Sequence, residues 1–146
     1  MNIRNMTIGD YDAAYEIWLH SPEIGLNNID DTKENIAKYL ERNPNTCFVA
    51  EEGGNVAGVI LCGHDGRRGF VHHTAVAREM RRRGIGSALV KAAMEALGRE
   101  GISKAYLLAF TVNAAGNAFW EKQGFVVRDE LVFRTKVITE TVRTNA

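Results

Sequence analysis

Hydrophobic and polar positions along the chain switch between helical and strand periods, and they predict the element order β-α-α-β-β-β-α-β-α-β. A short strand at 2–6 precedes a helix that begins after the capping box from Thr7 to Asp10 and ends near Pro22. A second helix is predicted from about Asp31 to Arg42. Strands at 48–51 and 56–62 flank a Gly-Gly-Asn turn, which is typical of a hairpin.

The second half of the chain carries the clearest helix. After a strand predicted at 70–76, apolar residues repeat every four positions across 84–99, and these are Ile85, Leu89, Ala93 and Leu97. A buried strand is expected at 104–110 and a helix at 114–123, where Gly124 stops it. One or two closing strands are expected within 125–137. Residues 139–146 are expected to fray, and 1–146 to form a single domain.

Composition narrows the classes of function. The chain has 146 residues, 45% hydrophobic, with 18 basic and 18 acidic side chains. This balance is typical of a soluble globular protein and predicts neither a nucleic-acid nor a membrane partner, so any anion site must be local. Cys47 and Cys62 lack metal-ligand spacing and are expected to be reduced core residues of a cytoplasmic protein. We expect no metal, no signal peptide and no membrane span.

The most informative segment follows the 70–76 strand and opens the 84–99 helix. It reads Arg81, Arg82, Arg83, Gly84, Ile85, Gly86, Ser87. A helix N-terminus presents unpaired N–H groups and partial positive charge, and glycine lets a phosphate come close. No lysine follows the second glycine as in a nucleotide-binding Walker loop, and Leu89 stands where a dinucleotide fingerprint needs a small residue. The segment suits a pyrophosphate, with a solvated basic turn as the alternative.

Two motifs resemble the GNAT superfamily of N-acetyltransferases. Ala75 and Val76 followed by R-x-x-G-x-G at 81–86 resemble its motif A, and the segment from Asn113 to Phe125 resembles its N-x-x-A-x-x-L-Y-E-K-x-G-F pattern. The resemblance covers about 3–137. A Gly-Arg-Arg-Gly stretch at 66–69 is similar to a branch of small bacterial enzymes with mostly unassigned acceptors.

The resemblance implies an α/β (α+β) fold with a mixed, mostly antiparallel sheet flanked by four helices. Two central parallel strands would splay to admit the thioester of acetyl-CoA, the implied cosubstrate. The backbone of Thr74, Ala75 and Val76 would pair with the pantetheine arm, amides from 81–87 would hold the pyrophosphate, and Asn113 would contact the cofactor. Trp120 stands where the family commonly has a tyrosine that protonates the leaving thiolate. An indole N–H donates a hydrogen bond but is no proton acid near neutral pH, so packing on the cofactor or the core is one role for Trp120 and a catalytic role is the alternative.

Acetyl transfer to nitrogen needs a neutral amine, and a lysine-like amine has a pKa near 10.4, so losing its proton at pH 7 costs about 4.6 kcal/mol. A general base is therefore sought, and the motif A strand offers His72 and His73 but no carboxylate. Strand alternation sends at most one histidine to the acceptor side, and His72 is chosen. A bulge would shift the role to His73. Alternatively, both histidines only satisfy local hydrogen bonds.

The predicted function is an acetyl-CoA-dependent N-acetyltransferase that moves acetyl directly to a primary amine. Neither cysteine lies in a nucleophile setting, which disfavours a covalent intermediate. One alternative is a non-catalytic acyl-CoA sensor on the same fold, and another is an unrelated phosphate-ligand protein. The amine is not fixed by the sequence, and a homodimer is compatible with it. A loop that borders the acceptor cleft in similar enzymes contains Asn27, Asn28, Asp30 and Asp31, whose acids suit either a cationic amine or helix capping.

Overall fold

Five strands form the sheet of the computed structural model, which describes residues 1–145. They lie in chain order as β1 (Asn2–Asn5), β2 (Phe48–Glu52), β3 (Asn55–His64), β4 (Gly69–Val76) and β5 (Ala105–Tyr106). Strands β1 to β4 pair antiparallel, whereas β4 and β5 are parallel. The predicted mixed, mostly antiparallel sheet is confirmed for the described residues.

Four helices cover the sheet: α1 (Tyr11–Leu19), α2 (Lys33–Arg42), α3 (Ile85–Arg99) and α4 (Ala114–Lys122). One core contains α1 and α2 side chains such as Trp18 and Leu40, and a second core contains Leu89 and Ala93 of α3. The acidic end of the predicted capping box is in place, since Asp10 accepts the Thr7 N–H at 2.9 Å. None of the described helices is long and apolar enough to cross a membrane.

The parallel strands separate soon after they meet. They pair only at Gly69 with Ala105 and at Phe70 with Tyr106, and beyond these pairs no ladder joins them. This divergence confirms the predicted splay of the two central parallel strands. It opens a gap beside the second half of β4, which is where the site is built.

The end of the chain differs from its prediction. Strand β5 has two residues instead of the seven expected at 104–110, and the described residues of 125–137 contain no strand. The physical reason is the divergence, because residues beyond Tyr106 lose the β4 ladder and leave no paired edge for a closing strand. The tail also differs, since Val142 N donates to Asn28 Oδ1 and Asn145 Oδ1 accepts the Leu26 N–H, so fraying does not reach 142–145. The last position, 146, lies outside the described residues.

Candidate active site

A β-bulge in β4 decides which way its two histidines face. The register runs from His72 opposite Leu61 to Ala75 opposite Val59, so two residues of β4 oppose one residue of β3. His73 has a φ of 37°, which breaks the strand alternation there. Both histidines consequently line the same cavity, of about 510 Å³, between β4 and α2. The expectation that strand alternation sends the two histidines to opposite faces is therefore wrong.

His73 is held by a buried carboxylate. Its Nε2 lies 2.6 Å from Asp31 Oδ1, and the other carboxylate oxygen, Oδ2, accepts the Asn27 N–H at 2.7 Å. Asp31 keeps only 4% of its surface exposed. The indole of Trp18 donates to the His73 carbonyl at 3.1 Å, which fixes the backbone of the bulge. With Nε2–H donating to the carboxylate, Nδ1 carries a lone pair and has no hydrogen-bond partner among residues 1–145.

Asp31 is a candidate site residue whose contact with His73 the sequence did not predict. The side-chain cap of α2 is Thr32, whose hydroxyl accepts the Asn35 N–H at 3.2 Å, and not an aspartate. Asp31 instead uses its carboxylate on a histidine that is 42 positions away. No local pattern signals such a contact, although the loop itself was assigned to the acceptor side.

His72 lies between aromatic rings at the wall of the cavity. Its ring stacks on Phe70 at 4.2 Å and meets Tyr39 edge-on at 5.9 Å. Loss of water around the ring is the main reason that the pKa of His72 falls to about 4, and the neighbouring His73 lowers it further. Part of the side chain stays exposed. His72 is therefore neutral near pH 7.

Neither cysteine is suited to carry an acetyl group. Cys47 is 1% exposed and Cys62 is fully buried. Burial raises the pKa of each thiol to about 12. A nucleophile must be a thiolate and must reach its substrate, so both thiols are inert structural residues.

The N-terminus of α3 forms a cradle for an anion. Gly84 adopts a left-handed conformation with φ 80°, and a side-chain carbon placed there would meet no atom within 4 Å. The six backbone N–H groups from Arg82 to Ser87 donate to no described residue. Arg82 and Arg83 make no ion pair with any other part of residues 1–145. These free donors and charges fit a pyrophosphate at a helix terminus.

Other residues of the motif A segment are tied into the fold. Arg81 Nε donates to the Val76 carbonyl at 3.1 Å, which anchors the cradle to the end of β4. The side chains of Ala75 and Ile85 are buried, so only their backbones are available to a ligand. A side-chain carbon on Gly86 would lie 3.2 Å from Phe119 Cζ, so this glycine permits the close approach of α4. Two hydroxyls also have partners: Thr74 Oγ1 donates to the His72 carbonyl, and Ser87 Oγ accepts from Gln123.

Asn113 and Trp120 both have structural partners in or beside α4. Asn113 Oδ1 accepts the Gly116 N–H at 3.0 Å and so caps the helix. Trp120 packs edge-on against Phe119 and Phe125, with ring centroids 5.0 and 5.3 Å apart. Cofactor contact by either residue stays a prediction. Within residues 1–145 no group of three metal-ligating side chains comes together.

Known proteins share this sequence and architecture. A model of the acetyltransferase (GNAT) family matches residues 11–125. An acetyltransferase of Sodalis glossinidius is 29% identical over 96% of this chain and 97% of its own length, and one of Pectobacterium atrosepticum is 27% identical over 96% and 98%.

Solved structures agree on the fold. Ard1 from Thermoplasma volcanium superimposes with a TM-score of 0.78 at 25% identity, over 87% of this chain and 83% of its own. The PaiA N-acetyltransferase of Thermoplasma acidophilum, in complex with coenzyme A, gives 0.74 at 19% identity over 88% and 91%. Because the family model spans most of the chain and includes both the α3 cradle and the β4 histidines, the chain belongs to the acetyltransferase (GNAT) family.

Proposed function

We propose that this acetyltransferase moves the acetyl group of acetyl-CoA directly to a primary amine, with His73 as the proton acceptor. One observation carries the proposal: a single strand, β4, has a histidine–carboxylate pair at its bulge and the anchored anion cradle at its end. The two features lie three residues apart, His73 to Val76, which is about 10 Å of extended chain. A thioester in the gap beside β4 and an amine in the cavity would meet at the bulge.

The α3 cradle supports acetyl-CoA as the donor. Free N–H groups at the start of a 15-residue helix suit the pyrophosphate, and the gap beside β4 is where the pantetheine arm would lie. The bulge also supports the transfer step, because its residues have no one-to-one partner in β3 and their backbone groups are not all used in the ladder. An N–H group freed in this way could donate to the oxygen on which negative charge develops.

The Asp31 carboxylate supports His73, rather than His72, as the base. A carboxylate on Nε2–H fixes the tautomer that leaves Nδ1 free, and it stabilises the imidazolium that forms when Nδ1 takes a proton. His72 has no such partner, and its pKa of about 4 makes it a much weaker acceptor. His72 is better suited to orient the amine by a hydrogen bond.

Direct transfer is favoured over a covalent acetyl-enzyme. Both thiols are buried and protonated, so a cysteine route has no nucleophile. The leaving thiol has a pKa of about 8.5, so its thiolate departs without full protonation, and Trp120 need not act as an acid. The amine, the thioester and His73 would therefore react in one ternary complex.

The test combines binding with turnover. Acetyl-CoA at saturation is expected to raise the melting temperature, because a ligand that binds only the folded state stabilises it by mass action. A panel of primary amines is then assayed by release of the coenzyme thiol. Adenosine 3′-phosphate 5′-diphosphate, which keeps the pyrophosphate and lacks the pantetheine arm, is the matched binding control.

Each outcome has a defined meaning. Product formation with at least one amine supports the proposal, whereas stabilisation without turnover on any amine would make the protein an acyl-CoA sensor. An unchanged melting curve with acetyl-CoA would overturn the donor assignment. The reduced cytoplasmic location and the homodimer stay predictions, and free Cys47 and Cys62 are consistent with the former.

A further inference from the structure

Two cations of α2 line the same cavity as the histidine–aspartate pair. Lys38 and Arg42 lie one turn apart on the helix, and both are exposed. Because they are four residues apart, they share one face of α2, and Asp31 lies in the loop just before this helix begins. The cavity wall therefore changes from acidic to basic along the helix axis.

Neither cation has a counterion in the fold. Lys38 and Arg42 form no ion pair with any described residue, although Glu34 stands four positions before Lys38 and could form the usual pair along the helix. Two like charges at this spacing also destabilise a helix slightly. Their position is explained if an anionic group enters the cavity and lies between them.

Charge separation in the cavity sets the shape of the ligand. The acidic end holds Asp30 and Asp31 beside His73, where the amine must be for transfer. Counted from Lys33, the first residue of α2, Lys38 lies about 7.5 Å along the helix axis and Arg42 about 13.5 Å, and their side chains can reach several ångströms back. A molecule with an amine at one end and an anion several bonds away would contact both ends.

We propose that the acceptor is an amine that also carries a carboxylate, and that Lys38 and Arg42 determine this specificity. The inference rests on the proposed acetyl transfer and names its substrate class. The amine lies against the carboxylates and His73, and the carboxylate of the substrate pairs with the two cations. An amine without an anion would leave both cations unpaired and bind less tightly.

The experiment compares amines that differ only in charge. Values of kcat/KM for acetylation are measured with 5-aminovalerate, with its neutral amide, and with 3-aminopropyl phosphate, for the wild type and for Lys38→Met, Arg42→Gln and Lys33→Met. The wild type is expected to prefer 5-aminovalerate over the amide by about tenfold, and each cavity variant to lose about fivefold with the acid only. Lys33→Met, an exposed α2 lysine outside the cavity, is the matched control.

Four results would overturn the inference. Equal kcat/KM for the acid and the amide would remove the anion subsite while leaving acetyl transfer intact. A loss of the same size in Lys33→Met would indicate a general field of α2 and no specific subsite. A preference for the phosphate would replace the carboxylate as the recognised anion. Turnover of none of these amines, nor of any in the panel, would remove the proposed function and this inference with it.

Discussion

His73 Nε2 lies 2.6 Å from Asp31 Oδ1, across 42 positions of sequence and between a strand and the loop that leads into α2. The contact joins the only bulged part of the β4 ladder to a carboxylate that is almost fully buried. A buried carboxylate needs hydrogen bonds, and Asp31 finds them in the His73 ring and the Asn27 backbone. The same contact that makes the loop stable thus prepares an imidazole to accept a proton.

Removing either member of this pair is expected to slow catalysis. His73→Gln and Asp31→Asn should each lower kcat/KM by about 10²-fold or more, because proton transfer by a positioned base contributes about that much. Binding of acetyl-CoA should change little, since the α3 cradle is untouched. Steady-state kinetics and calorimetry measure the two effects, and Asp12→Asn, an exposed carboxylate of α1, is the control.

The pH profile separates His73 from His72. If His72 accepted the proton, the lower limb of kcat/KM would fall near pH 4, where the free enzyme titrates that ring. Because we assign the base to His73, we expect His72→Asn to leave the shape of the profile unchanged and His73→Gln to alter it. A limb near pH 4 that is lost in His72→Asn would contradict the assignment to His73.

Acid should destabilise the fold through His72. The folded pKa is about 4 and the ordinary value is 6.5, so between these limits the unfolded chain binds a proton that the folded chain does not. Stability is therefore lost as the pH falls from about 6.5 toward 4. Melting temperatures measured across this window should fall less in His72→Gln than in the wild type.

An acidic pair provides a check on that measurement. Arg4 holds the pKa of Asp10 below its ordinary value of 3.8, so its stabilisation is lost only at lower pH. Identical slopes for the wild type and His72→Gln would show that His72 titrates normally in the fold.

Local chemistry explains what the sequence could predict. The link between Thr7 and Asp10 spans four residues, and the turn from Arg81 to Ser87 combines helix start, glycine and charge in one stretch. Both features depend on neighbours in sequence, so the residues suffice. The apolar side chains of the two cores are also predictable from neighbours in sequence, because hydrophobic residues recur every two positions in the strands and about every four in the helices.

Long-range pairing explains what the sequence could not predict. The bulge at His73 exists because of the register that β3 imposes on β4, and that register is set across two strands. The bond from His73 to Asp31 depends in turn on the bulge. The divergence after Tyr106 likewise depends on how two strands meet, which leaves residues 107–110 without the ladder that their pattern predicts.

The chain is expected to self-associate through its C-terminal third. Large apolar side chains are exposed by half or more there: Tyr106, Leu108, Phe110, Val112, Val126, Val127, Leu131, Val132, Phe133, Val137, Ile138 and Val142. Summed over these residues, the exposed apolar surface is on the order of 1,000 Å², which is comparable in area to one side of a standard interface. Sedimentation velocity from about 1 to 100 µM measures the association. A monomer at every concentration would contradict the expectation, whereas Phe133→Lys with Ile138→Lys should weaken any dimer that forms.

Substitutions in the α3 cradle are expected to separate backbone from side-chain contributions to acetyl-CoA binding. Gly84→Asp should abolish binding, because its carboxylate would occupy the proposed pyrophosphate site and a non-glycine residue at φ 80° is strained by about 1–2 kcal/mol. Gly66→Asp is the matched control, since that glycine has φ 90° in a different turn and equally open space.

Arg81→Ala should weaken binding less, because the free N–H groups from Arg82 to Ser87 remain while only the link to Val76 is lost. Dissociation constants by calorimetry on folded variants decide the matter: equal losses in Gly84→Asp and Arg81→Ala would assign the site to side-chain charge, and a loss in Gly66→Asp would trace the effect to backbone strain.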